Sequence, residues 1–179
     1  MPTTQTYVEE AAVMATLARD IADLYQQENG ALRATADELE SALQHASGSN
    51  YRRVQEAVGT LRLLCARLEE ENQTRFRHEG SVVFPLVELK APQLRGLVGE
   101  LESELDRFRR ALADFRRELT IFNTTGELRH LPRLGRELAR ALRALLDHEE
   151  QQLLPALQKD LIQRYQRALP THLSPLNRL

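Results

Sequence analysis

Between Pro92 and Phe122 an apolar residue returns every three or four positions, at Leu94, Leu97, Leu101, Leu105, Phe108, Leu112, Phe115 and Leu119. That rhythm draws one stripe along one side of an α-helix, and so long a stripe is stable only when covered by other helices. Three further segments share it. One runs from about Thr6 to Gln44, with a possible interruption at "ENG", where Gly30 costs roughly 1 kcal/mol of helix propensity. The next carries Val54, Val58, Leu61, Cys65 and Leu68, then continues through Asn72, Arg75, Glu79, Val82 and Leu86 towards "KAPQ". The last starts near Leu128 and sets Leu131, Leu134, Leu138, Leu142, Leu145, Glu149, Leu153 and Ala156 on one side. Short breakers ("HASGSN", "KAPQ", "NTTGE") separate the segments, and Ser49 or Asn50 is placed to cap the second helix. The expectation is an all-α, up-down-up-down four-helix bundle. It forms a single domain over residues 1–165, followed by a proline-containing tail, 166–179.

Composition narrows the function. Lys and Arg number 24 against 26 Asp and Glu, so no basic footprint for nucleic acid exists, and arginine runs such as "DRFRRALADFRREL" are interleaved with acids. No apolar run reaches membrane-spanning length and the start lacks a signal-peptide pattern, from which a soluble, cytoplasmic protein is expected. The single Cys65 excludes an internal disulfide and a cysteine zinc site, and reads as a buried small hydrophobe. No serine–histidine–aspartate arrangement, phosphate-binding glycine loop or paired cysteine motif supports an enzyme.

The chemistry lies where the stripes turn polar. "RHEGSVVFPLVELK" (77–90) is echoed by "DHEEQQLLPALQKD" (147–160), and Glu79 and Glu149 each stand six residues before a proline. At 3.6 residues per turn, Glu79 falls about five turns beyond Leu61 on the same line, with Arg75 one turn before it. Glu149 lies on the inward line between Leu145 and Ala156. A carboxylate facing a bundle core is costly unless it is paired or ligates a metal. Pairing with Arg75 and metal ligation are therefore both open on spacing alone. His78 and His148 sit about 100° round the helix from their neighbouring glutamates. His45, His130 and His172 fall at breaks or in the tail and read as surface residues.

The two echoing segments resemble the ends of the second and fourth helices of the hemerythrin, or HHE cation-binding, family. There a His-x-x-x-Glu pair precedes "E-x-L-F-P-x-L"-like text. "EGSVVFPLVE" and "EEQQLLPALQ" follow that ending, and the resemblance extends over about residues 20–160. It implies that Glu79 and Glu149 hold the places of two bridging carboxylates. The "Leu-x-x-Glu-His-x-x-Leu" text of the family's first and third helices aligns with "YQQENGAL" (Tyr25 to Leu32) and "LESELDRF" (Leu101 to Phe108). The four histidine positions so placed hold Asn29, Arg75, Leu105 and Leu145. What the resemblance implies is thus a hemerythrin-like bundle that keeps both carboxylates and has lost its histidines, with no cofactor expected. Arg75, Glu79 and Glu149 then form a buried salt-bridge cluster in the vestigial site, and Leu105 and Leu145 fill the remaining space.

The alternative is a di-iron site rebuilt from His78, Glu79, His148 and Glu149. It requires a local rotation such as a π-bulge, which no feature of the sequence announces. The functional expectation is a non-enzymatic regulatory or interaction module with an unidentified protein partner. Its alternative is an iron protein that binds or senses oxygen or nitric oxide through unconventional ligands.

Overall fold

The computed structural model describes residues 4–48, 50–126 and 130–168. Every regular element among them is helical. Helix α1 is Thr4–Ala46, α2 covers residues 51–90 in several pieces, α3 is Arg95–Thr125, and α4 covers residues 131–168. α1 packs against α2 and α4, and α3 packs against the same two helices, which is the arrangement of an up-down-up-down bundle.

The ends follow from local chemistry. Asn50 caps α2 by accepting the Arg53 N–H through Oδ1 at 3.2 Å. Pro92 drives Ala91 out of the helical region (φ −131°, ψ 68°), so α2 stops at Lys90. Gly126 takes a left-handed φ of 70° and returns its N–H to the Phe122 carbonyl, closing α3.

The fully buried side chains include Leu61, Leu68, Phe76, Leu101, Leu105, Phe108, Phe115, Leu138 and Leu142. Phe76 and Phe108 meet edge to face at 5.1 Å across α2 and α3. α4 comes close to α1 at Gly135, where a Cβ would lie 2.5 Å from Leu43 Cδ1. Outside the core, Arg33 of α1 bonds Asp147 and Glu150 of α4, and Arg143 of α4 bonds Asp37 and Glu40 of α1.

Three expectations are corrected. α1 runs through Gly30 without interruption, because the buried line of Asn29, Leu32, Ala36 and Leu39 spans that point and outweighs one glycine's propensity. α4 begins at Leu131 rather than near Leu128, which lies outside the described residues. Val82 and Leu86 face outward, 48% and 52% exposed.

The cause of the last correction is a π-helical turn, Glu79–Val83, in which Phe84 N–H reaches back five residues to the Glu79 carbonyl. α4 carries the same device at Glu149–Leu153, with Leu154 N–H on the Glu149 carbonyl. Each turn ends two residues before a proline, Pro85 or Pro155. A proline inside a helix has no N–H, and its ring clashes with the carbonyl four residues back. The extra residue moves that carbonyl away and lets the helix continue. It also resets the inward line, so that buried Glu79 is followed by buried Phe84 and Val87 while Val82, Leu86 and Leu89 turn to solvent. As for the expected tail, residues 166–168 complete α4 and residues 169–179 lie outside the described residues.

Candidate functional site

Both π-turns begin at the echoed glutamates, and both glutamates point into the bundle, with 3% and 1% exposure for Glu79 and Glu149. Arg75 stands one helical turn before Glu79, after a break at Thr74 (φ −100°, ψ −85°). Its side chain is 10% exposed. Nε donates to Glu79 Oε1 at 2.8 Å, and Nη2 donates to Glu149 Oε2 at 2.7 Å and to Asn29 Oδ1 at 2.5 Å. One guanidinium thereby ties α1, α2 and α4 together at a single level. The planar fork of arginine suits this task, since Nε and Nη2 carry N–H groups in one plane that can meet separate acceptors.

The aromatic rings of Tyr25 and Phe76 lie 5.4 and 5.3 Å from the guanidinium carbon, and Glu28 Oε2 lies 3.8 Å from Nε. Tyr25 and Glu28 play no part in the sequence expectation. The signal for Tyr25 was its place one turn before Asn29 on the same face of α1.

The electrostatics favour one negative charge rather than two. Burial first, then the Glu79 charge, pushes the Glu149 carboxyl up to about 8, against the pull of Arg75 and Asn29. Burial also raises Glu79, opposed by Arg75. The two carboxyls are within hydrogen-bonding reach of each other. Glu79 Oε2 and Glu149 Oε1 have no donor when both are ionised. A proton on Glu149 supplies one and leaves Arg75⁺ facing a single carboxylate, a neutral buried unit. Burial alone would lower the Arg75 pKa, but Glu149 and Glu79 outweigh it and raise it. Tyr25 is held above its ordinary range by burial and by the two acids.

The other expected positions fall as follows. Leu105 and Leu145 are fully buried members of the apolar core. His78 is exposed. His148 is half-buried, with Nε2 4.0 Å from Glu100 Oε2 and Nδ1 buried without a protein partner. The π-turns start one residue after each histidine, so the backbone up to His78 and His148 stays α-helical and neither ring is carried round to the inward line. The structure brings together Arg75, Glu79, Glu149 and Asn29, and leaves His78 on the surface.

A four-helix bundle with a carboxylate from each of two helices projecting inward at one level has the architecture of the carboxylate-bridged metal proteins. The chain belongs to the hemerythrin HHE cation-binding domain family, whose model matches residues 20–157, well over half of its length. Neither the curated proteins nor the solved structures gave a match.

The family implies a bound cation, and the residues of this site do not fit one. A metal pair needs imidazoles beside its bridging carboxylates, and the side chains bonded at this level are a guanidinium, from Arg75, and an amide, from Asn29. One oxygen of each carboxyl, Glu79 Oε1 and Glu149 Oε2, is already hydrogen-bonded to a cationic side chain. Among the described residues no group of three or more histidine, cysteine, aspartate or glutamate side chains is arranged to hold a metal ion.

Proposed function

We propose that this hemerythrin-family bundle works without a metal centre, as a non-enzymatic interaction or regulatory module. The observation that carries the reading is the Arg75 guanidinium bonded at once to Glu79, Glu149 and Asn29. An internal cation fixed in the protein does structurally what a bound cation does in a carboxylate-bridged bundle, neutralising and spacing two acids that would otherwise repel. It offers no open coordination position, no redox change and no ligand exchange. The bundle keeps the family's frame, and its outer faces are what remain for function. No helix among the described residues is long and apolar enough to cross a membrane, and we place the module in the cytoplasm.

Elemental analysis of protein expressed in iron-rich medium tests the reading. The expected result is iron well below one atom per chain. About two irons per chain, with oxo-bridge absorption in the visible, would instead establish the alternative, an iron protein that binds or senses oxygen or nitric oxide through unconventional ligands.

A further inference from the structure

A groove of about 720 Å³ runs between α3 and the first part of α4, with Ala111, Ala141 and Ala144 along its floor. Its charges are not balanced internally. Every carboxylate that lines it is held by an arginine that does not: Asp114 by Arg117, Glu137 by Arg133 and Asp147 by Arg33. Of its arginines, Arg107 is paired with Glu104, and Arg143 with Asp37 and Glu40. That leaves Arg110 on the α3 wall and Arg140 on the α4 wall. Arg110 makes one polar bond, from Nε to the Asp106 carbonyl of its own helix, and Arg140 makes no ion pair among the described residues. Both are exposed. The groove therefore presents two free guanidinium groups, one on each wall, in a chain whose overall charge is slightly negative.

We propose that this groove is the docking surface for an acidic helix of a partner protein. The small floor residues let a third helix approach closely and seat its ridge between the two walls. Carboxylates on its flanks then meet Arg110 and Arg140 through the guanidinium fork. Each groove carboxylate is engaged by an arginine, Asp147 by one shared with Glu150, so the unpaired guanidinium groups are those of Arg110 and Arg140. Two free guanidinium groups do not suit duplex nucleic acid, where affinity grows from many phosphate contacts. The proposal rests on the interaction reading and names its partner. Its failure is separable, because Arg75, Glu79 and Glu149 do not line the groove and metal content is read on the parent chain.

The test uses the full chain and a fluorescein-labelled peptide of about twenty residues with glutamates flanking an alanine face at helical spacing. Saturable binding is expected, weakened about tenfold or more when Arg110→Ser and Arg140→Ser are combined. The charge-matched control, Arg52→Ser with Arg95→Ser, lies outside the groove and should bind as the parent does. Circular dichroism of each variant establishes that it is folded. Absence of saturation, or an equal loss in the control pair, overturns the proposal. So does tighter binding to a duplex oligonucleotide or to anionic lipid vesicles than to the peptide.

Discussion

Replacing Arg75 by alanine removes the one positive charge from a site that holds two carboxyl groups at 3% and 1% exposure. Three hydrogen bonds of 2.5 to 2.8 Å go with it, and Asn29 Oδ1 and both carboxyls lose their partner. Breaking a buried ion pair from one side costs about 3–5 kcal/mol. Glu149 already holds its proton near neutral pH, so the uncompensated charge is that of Glu79 alone, and the loss should not double. For a chain of this size that corresponds to a fall of roughly 6–20 °C in melting temperature.

Thermal melts followed by far-ultraviolet circular dichroism give the number. Two companions separate charge from packing. Arg75→Lys keeps the charge and loses the fork, and should fall between the parent and Arg75→Ala. Arg75→Met with Glu79→Leu and Glu149→Leu removes every charge together and should recover most of the stability, since a well-packed apolar substitute for a buried ion cluster is often neutral or better. An Arg75→Ala protein within about 0.5 kcal/mol of the parent would refute the reasoning, because a surface pair behaves that way.

Glu149 and Glu79 are both raised above their unfolded values, so the folded state binds more protons than the unfolded one above the ordinary carboxyl range. The stability they contribute is complete below about 4.5 and is lost as pH rises through about 8, and urea midpoints should therefore decline across that window in the parent and stay flatter in Glu149→Gln. Gly135→Ala should destabilise by about 1–3 kcal/mol, because its Cβ meets the buried Leu43. Gly30→Ala, with nothing within 4 Å, should stabilise by about 0.5–1 kcal/mol, and urea unfolding compares the pair. Cys65 is 4% exposed and its thiol is pushed up by burial to about 11, so a disulfide thiol reagent should label it only after denaturation.

The bundle was legible because each helix writes its burial as a three-and-four rhythm, and α3 obeys it from Val98 to Phe122. The inward direction of Arg75, Glu79 and Glu149 followed from the same count. What the count could not supply was the extra residue at each π-turn, which breaks periodicity over one turn and leaves no compositional mark. The proline six residues after each glutamate was the available sign, and its meaning is steric: the helix can pass a proline only by moving a carbonyl aside. Missing it put Val82 and Leu86 on the wrong face. Continuity of α1 through Gly30 was hidden for a different reason, since tertiary burial of Asn29 and Leu32 overrides a local preference. Tyr25 and Glu28 were hidden because a contact from α1 to α2 depends on how the helices pack.

In the metal-free reading a guanidinium, not a metal, sits between Glu79 and Glu149. Anomalous diffraction at the iron absorption edge tests it most directly, on crystals of protein expressed in iron-rich medium. The expected map shows flat side-chain density for Arg75 within hydrogen-bonding distance of both carboxyl groups, and no anomalous peak between them. An iron peak there, with Arg75 turned away towards solvent, would contradict the account.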